Sequence, residues 1–281
     1  MKALVTGVTG QVGRALLRSL EGRFEVIPAD RRLLDLASKD AIVAAVRGVA
    51  PRVILNPAAF TSVDVAEQQP ELAFKVNAEA PGILAEEAKR IGALLVHYST
   101  DYVFDGALRR PYIETDPTGP LSTYARSKLE GERRVRESGC AHMVLRTSWV
   151  YGGEKTFAAA ILDKARRNEK LRVVSDQTGA PTWAADVADL TAALLSGRHR
   201  PEGVWHAAAA GEVTRYDYAV RLLQLAGLDA IIEPIATSDF PSSARRPPYS
   251  ALDSRALQRA SGVPAIGGWD ERLKRYLESA R

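Results

Sequence analysis

Short uninterrupted apolar runs alternate with longer stretches whose apolar positions recur at helical spacing. That is the pattern of buried strands separated by helices that cover them. Lys2–Thr6 is the first apolar run, and it leads through glycines into a helical pattern over Gln11–Leu20. Phe24–Ala29 reads as a second strand. Ser38 caps a helix over Lys39–Arg47, with Asp40 in its first turn. Arg52–Leu55, Ala93–Tyr98 and Met143–Thr147 read as further strands, with helices over Ala78–Ile91 and from Ser122 to about Ser138 between them. Strands alternating with helices predict an α/β fold, a Rossmann-type doubly wound parallel sheet covered on both faces.

The second half is less regular. Thr156–Asn168, Ala184–Leu195 and Tyr216–Ala226 read as helices, and Leu171–Val174 and Gly203–His206 as strands. Proline-rich sequence follows at Pro234–Pro248, and Trp269–Glu278 closes the chain with a helical pattern. The expected organisation is a dinucleotide-binding domain over residues 1–150, with 176–200 returning to it, and a smaller, discontinuous substrate-binding lobe over 151–281.

Composition narrows the function. The 281 residues are 46% hydrophobic and 26% charged, which suits a folded globular chain and excludes wholesale disorder. One cysteine, Cys140, excludes an intramolecular disulfide and a multi-cysteine metal site. The four histidines, at 97, 142, 199 and 206, are too scattered for a His-rich metal cluster. No apolar stretch approaches the ~18 residues that a membrane span needs, and the start of the chain lacks a signal-peptide core. A cytoplasmic protein without membrane or nucleic-acid partners is expected. The net charge of +4 is spread over short basic pairs interleaved with acids, which permits an anionic ligand without requiring nucleic acid.

Three motifs carry chemistry. Gly7, Gly10 and Gly13, with Gln11 and Val12 between them, follow a strand and open a helix. Glycines let the backbone approach a pyrophosphate, and the helix start offers it free N–H groups. Asp30 ends the second strand, where an acid would bond an adenosine ribose hydroxyl and favour NAD. Arg31 follows at once and would equally suit the 2′-phosphate of NADP, so the preference stays open. Asp35 and its neighbour Leu36 are candidates for the adenine end, although Asp35 reads equally well as a turn or cap acid.

Tyr124 and Lys128 stand four apart in a glycine-free helical stretch and therefore share a face. A nearby ammonium is expected to lower the phenol pKa and ready it for proton transfer. Tyr151 and Lys155 have the same spacing but enclose Gly152 and Gly153, which disfavour a helix, so Tyr151 reads as structural. Thr100 closes the fourth strand. At the carboxyl end of the sheet its hydroxyl reads either as a group that polarises a substrate carbonyl or as a Ser/Thr turn that caps the strand.

These motifs, in this order, resemble the extended short-chain dehydrogenase/reductase family. Within it they are most similar to the branch that reduces dTDP-4-keto sugars. The resemblance covers residues 1 to about 275 and is carried by Gly10–Gly13, His97–Phe104, Arg146–Tyr151, Asp176–Thr182, the Asn56-Pro57-Ala58-Ala59 run with Asp64 and Glu67, and Ala244–Pro247 with Ser250. It implies reduction of the 4-keto group of dTDP-6-deoxy-L-lyxo-4-hexulose to dTDP-L-rhamnose with NADPH or NADH. It implies Tyr124 as proton donor, Lys128 on the nicotinamide ribose, and Thr100 at the same oxygen as Tyr124. Ala58, Ala59 and Phe60 would run along the cofactor, with Tyr98 at its nicotinamide side. Asp101 and Trp149 would line the sugar, and Arg246 would pair with the substrate diphosphate.

Two departures modify this. Ala15 and Ala184-Ala185 stand where some relatives carry glutamates that bind Mg2+ at a dimer interface, so no metal and a monomer or weak homodimer are expected. Phe60 stands where many relatives have histidine, with little effect expected for a backbone contact. The alternatives are another sugar-nucleotide reductase or epimerase, or a non-catalytic NADP-binding regulatory subunit. A 4,6-dehydratase would need an Asp–Glu pair after the threonine, where this chain has Asp101-Tyr102.

Overall fold

The structure, a computed structural model, describes residues 1–197 and 200–279; His199 lies outside the described residues. Six strands form one parallel sheet: β1 (Lys2–Thr6), β2 (Glu25–Ala29), β3 (Val53–Asn56), β4 (Leu94–Thr100), β5 (His142–Thr147) and β10 (Gly203–His206), in the order β10-β5-β4-β3-β1-β2. The short strands β6 (Val150–Tyr151), β7 (Leu171–Val174), β8 (Thr178–Gly179), β9 (Thr182–Trp183), β11 (Val213–Thr214) and β12 (Ile232–Ile235) lie outside this sheet. The expected doubly wound parallel sheet is therefore present. The chain steps outward from β1 to β2, then crosses back to lay β3 on the far side of β1. This reversal opens a crevice at the carboxyl ends of β1 and β3, where such sheets bind ligands.

Both faces are covered because the strands are apolar on both sides. Helix α1 (Gln11–Leu20) and helix α8 (Ala184–Ser196) enclose one core with Val5, Leu16, Leu55, Val96 and Val187. Helix α2 (Lys39–Val49) and helix α5 (Ala80–Ile91) close the other over Leu4, Ile42, Ile54, Leu84 and Leu95. Ser38 caps α2, its hydroxyl accepting from the Ala41 N–H at 3.3 Å.

The polar stretch after β3 hides elements that periodicity did not show. Helices α3 (Val63–Gln68) and α4 (Pro70–Phe74) run into a π-helical turn, Lys75–Glu79, before α5 begins. The helix expected from Ala78 thus starts two residues later, because the turn first widens around the buried Asn77. Helix α6 (Thr123–Ser138) then runs beside it.

A further core gathers helices α7 (Phe157–Arg166), α9 (Arg215–Ala226) and α11 (Trp269–Ser279) around Tyr151, Ile161, Leu222 and Leu273. Strand β12 (Ile232–Ile235) pairs with β7 (Leu171–Val174) inside the stretch that its prolines made irregular in sequence. The helix α10 (Arg255–Ser261) was not anticipated either. Between β12 and α10, residues 240–250 form an extended strap that returns to the carboxyl end of the sheet. Ser250 N–H donates to the Thr178 carbonyl there.

Candidate active site

The site begins where β1 ends. Gly7 adopts φ +58°, and a Cβ there would sit 2.8 Å from Ala58. A Cβ on Gly13 would sit 2.1 Å from the Gly7 carbonyl oxygen, so glycine is required for helix α1 to start this close to the strand. Gly10 is the N-cap and has no side chain to satisfy the first turn. The N–H groups of Gln11, Val12 and Gly13 therefore face the crevice without helical partners. The buried Gln11 Oε1 also lacks a partner among the described residues. A cradle that any Cβ would fill and open backbone amides fit the pyrophosphate of a dinucleotide.

The chemistry gathers at the end of β4 and the first turns of α6. Helix α6 starts where it does because Ser122 accepts from the Ala125 N–H at 3.2 Å. Its spacing places Tyr124 and Lys128 on the face toward the sheet. Lys128 is 2% exposed, and Nζ donates to the Tyr98 carbonyl at 2.6 Å and lies 3.3 Å from His97 Nε2. Burial pushes its ammonium down to about 8, while the Glu132 carboxylate opposes the fall.

The expectation for the phenol is corrected. Burial pushes Tyr124 above its ordinary value, the Thr100 hydroxyl opposes the rise, and Asp101 and Tyr102 add to it. Lys128 does not reverse this, because its hydrogen bonds run to β4. A raised phenol still suits a proton donor, since it stays protonated at neutral pH.

Thr100 is held from both sides. Its Oγ1 accepts from the Tyr102 N–H at 3.2 Å and donates to Asp101 Oδ1 at 3.1 Å. Asp101, only 2% exposed, accepts from Ser148 at 2.9 Å and Ser250 at 2.5 Å. Its oxygens are thereby joined to Thr100, the end of β5 and the strap. Burial pushes its carboxyl up to about 6 against the pull of these three hydroxyls.

The family model described as the RmlD substrate binding domain matches residues 1–281. A dTDP-4-dehydrorhamnose reductase of Burkholderia thailandensis is 42% identical over 279 residues, 94% of each chain.

The chain belongs to the dTDP-4-dehydrorhamnose reductase family.

The solved dTDP-4-dehydrorhamnose reductase of Clostridium acetobutylicum superposes with a TM-score of 0.95 at 37% identity, covering 100% of this chain and 99% of its own. That of Bacillus anthracis, solved in complex with NADP, gives 0.95 at 30% identity and 99% coverage of both.

Other residues singled out in the sequence of this dTDP-4-dehydrorhamnose reductase family member take more particular places. Asp30 Oδ1 accepts from the N–H groups of Arg32 and Leu33 at 2.9 and 3.1 Å, so it organises the turn after β2. Arg31 is 83% exposed and lies 3.7 Å from Asp35, which also caps the Ala37 N–H. Leu36 packs half-buried on the second core. Ala58, Ala59 and Phe60 follow β3 at the mouth of the crevice. Tyr98 is corrected: its side chain turns into the core under α8 and bonds Thr191 at 2.9 Å, so what faces the site is its carbonyl. Tyr151 is buried in the second lobe among Tyr218 and Tyr276, consistent with a structural role.

Arg246 sits on the strap, but its guanidinium is engaged. It donates to Asp64 Oδ2 at 2.5 Å and also bonds the Ser242 hydroxyl. Asp64 further accepts from Ser242 at 2.8 Å and the Ala244 N–H at 3.1 Å. These partners hold it below the usual carboxylate range. One helical turn on, Glu67 accepts from the N–H and hydroxyl of Thr123, both at 2.7 Å. Helix α3 thus holds both the strap and the start of the helix that carries Tyr124.

Trp149 adopts φ +42°, and Arg215 stacks on its indole with Cζ 3.8 Å from the ring centroid. Arg215 Nη2 reaches the Tyr102 hydroxyl at 3.4 Å. Nothing in the sequence marked Arg215. Asn77 was also missed, although it fixes Phe60: its Oδ1 accepts from the Phe60 N–H at 2.7 Å and its Nδ2 donates to the Phe60 carbonyl at 3.0 Å. Among the described residues, no group of three or more His, Cys, Asp or Glu could hold a metal ion, and no helix is long and apolar enough to cross a membrane.

Proposed function

We propose that this protein reduces the 4-keto group of dTDP-6-deoxy-L-lyxo-4-hexulose to give dTDP-L-rhamnose, with NADPH or NADH as reductant. The observation that carries the reading is the Tyr124–Thr100–Lys128 cluster at the carboxyl end of β4, beside the glycine cradle, in a chain of this family. The amides of Gln11, Val12 and Gly13 hold the pyrophosphate. Asp30, Arg31, Asp35 and Leu36 border the adenosine, and Ala58, Ala59 and Phe60 run beside the cofactor. When bound, the reduced nicotinamide supplies a hydride to C4 of the sugar. Tyr124 donates its phenolic proton to the carbonyl oxygen, so the ketone becomes an alcohol. The Thr100 hydroxyl steadies the charge on that oxygen, and the Lys128 ammonium stabilises the phenolate left behind. Arg246 meets the substrate diphosphate, and Trp149 and Asp101 border the sugar pocket.

The reading includes a dinucleotide-binding body over residues 1–150, with 176–200, and a substrate lobe over the remainder. It also includes a cytoplasmic monomer or weak dimer without nucleic-acid or membrane partners.

Absorbance of the reduced nicotinamide tests it. The protein is mixed with dTDP-4-keto-6-deoxyglucose, a 3,5-epimerase and either NADPH or NADH. Oxidation that requires both proteins supports the reductase. Cofactor binding without oxidation would replace it with the non-catalytic, regulatory reading or with a different sugar nucleotide as substrate.

A further inference from the structure

A line of buried polar side chains crosses the sheet beneath the crevice. Thr6, the residue before Gly7, donates from its hydroxyl to Asn56 Oδ1 at 2.6 Å and accepts from the Ala58 N–H at 3.4 Å. Asn56 Nδ2 lies 3.2 Å from His97 Nδ1, and His97 Nε2 lies 3.3 Å from Lys128 Nζ. Asn56 and His97 are fully buried, and Thr6 and Lys128 are nearly so. The line joins the end of the glycine-turn strand to the lysine of the reacting site through β1, β3 and β4.

An ammonium has three protons to give. The Tyr98 carbonyl takes one from Lys128 at 2.6 Å. A second can go to His97 Nε2 only if that nitrogen carries a lone pair, which requires a neutral ring protonated on Nδ1. The Asn56 amide nitrogen faces Nδ1 at 3.2 Å; since an ammonium can only donate, the Lys128 contact requires that amide turned by half, its oxygen accepting the Nδ1 proton and its nitrogen donating to the Thr6 hydroxyl. Burial and the Lys128 charge both hold the imidazole well below its ordinary value, so it remains neutral. The other charged or titratable groups around Lys128 are Glu132 and Tyr124 of its own helix.

We propose that His97 is a positioning residue for the reduction: with the Tyr98 carbonyl it fixes two of the Lys128 protons against β4, so that the third points toward the nicotinamide ribose and Tyr124. This rests on the proposed reductase reading for its catalytic consequence, though not for its effect on cofactor binding. A merely structural histidine would contribute stability and leave Lys128 free to find another acceptor.

Two variants test it, His97→Leu, which has no lone pair, and His97→Gln, whose amide oxygen restores an acceptor. NADPH affinity is read by fluorescence titration, alongside kcat, KM, the pH profile and the thermal midpoint. His97→Leu is expected to lose roughly 10- to 100-fold in NADPH affinity or kcat, the effect of a lost hydrogen bond to a charged group, with KM for the sugar nucleotide little changed. Its alkaline limb moves to lower pH, because Lys128 without that acceptor loses its proton more easily. His97→Gln recovers most of both. If His97→Leu changes only the thermal midpoint, the histidine is structural and the proposal is overturned. The unaltered protein gives an answer that needs no variant to fold. With 15N-labelled histidine, the His97 ring is expected to stay neutral and Nδ1-protonated between about pH 6 and 9 and to shift when NADPH is added. A ring that titrates there, or that ignores NADPH, overturns the proposal. An unaltered protein that binds NADPH but reduces no sugar nucleotide would sink the reductase reading and leave the cofactor-binding arm standing.

Discussion

The Arg246 guanidinium donates to Asp64 Oδ2 at 2.5 Å, tying the strap of residues 240–250 to helix α3. A planar fork held by a carboxylate is pre-oriented for a diphosphate, and a lysine cannot reproduce that geometry. Arg246→Lys is therefore expected to raise KM for the sugar nucleotide by about 10-fold or more while NADPH affinity is unchanged. Steady-state kinetics and a cofactor titration measure the two separately. An unchanged KM would remove Arg246 from the diphosphate site.

Tyr124→Phe removes the phenolic proton and little else, since the ring still packs edge-on against Tyr102. Turnover should fall by about 10²–10⁴ for a lost general acid, with NADPH binding nearly intact. Tyr151→Phe is the matched control. Its hydroxyl is buried with no hydrogen-bond partner among the described residues, so its loss should leave kcat where it was.

The glycine turn makes a steric prediction. A Cβ at residue 13 would stand 2.1 Å from the Gly7 carbonyl oxygen, which belongs to backbone that cannot swing aside. Gly13→Ala is expected to push helix α1 off β1, abolish measurable NADPH binding and lower the thermal midpoint. A variant that binds NADPH normally would show that the pyrophosphate does not use this turn.

Much of this was legible in the sequence because it is local. The glycine turn, the Ser38 and Ser122 caps, and the shared face of Tyr124 and Lys128 depend on residues within one or two turns of each other. What was hidden depends on partners far apart in the chain. Asp64 meets a strap 178 to 182 positions later, Asp101 meets Ser250 149 positions later, and Tyr102 meets Arg215 113 positions later. The phenol was misjudged for the same reason. Spacing shows that Lys128 shares its face, but only the fold shows that the ammonium is drawn to β4 and that burial dominates Tyr124.

Asp101 gives a pH prediction whose sign follows from burial. Its carboxyl is raised to about 6 in the folded protein, above the ~3.9 of an unfolded chain. The folded state therefore holds this proton more tightly, so the contribution is fully present below about pH 4 and is lost as pH rises through about 6. Asp101→Asn removes the titration. Stability of the wild type relative to Asp101→Asn should fall between about pH 4 and 6 by roughly 3 kcal/mol and stay level above that. Denaturant unfolding of both proteins across this range measures it, and a difference that does not vary with pH would mean that Asp101 is ionised throughout.

Arg215, at the start of helix α9, tests whether the chain beyond β5 contributes to the site. It stacks on Trp149 and reaches Tyr102, which closes the far side of the Thr100–Tyr124 cluster. A guanidinium over an indole is worth about 0.5–2 kcal/mol, and here it also brings a positive charge toward a pocket meant for an anionic sugar nucleotide. Arg215→Met keeps a long apolar stem over Trp149 and removes the charge. If the charge helps hold substrate, KM for the sugar nucleotide rises by about 10-fold, NADPH affinity is unchanged, and the thermal midpoint drops only slightly. If the arginine serves only to pack the indole, the methionine substitutes for it and KM stays put. Arg215→Ala then separates the remaining possibility, because a loss seen with alanine but not with methionine belongs to the orientation of Trp149, which intrinsic tryptophan fluorescence would register as a shift in the free protein.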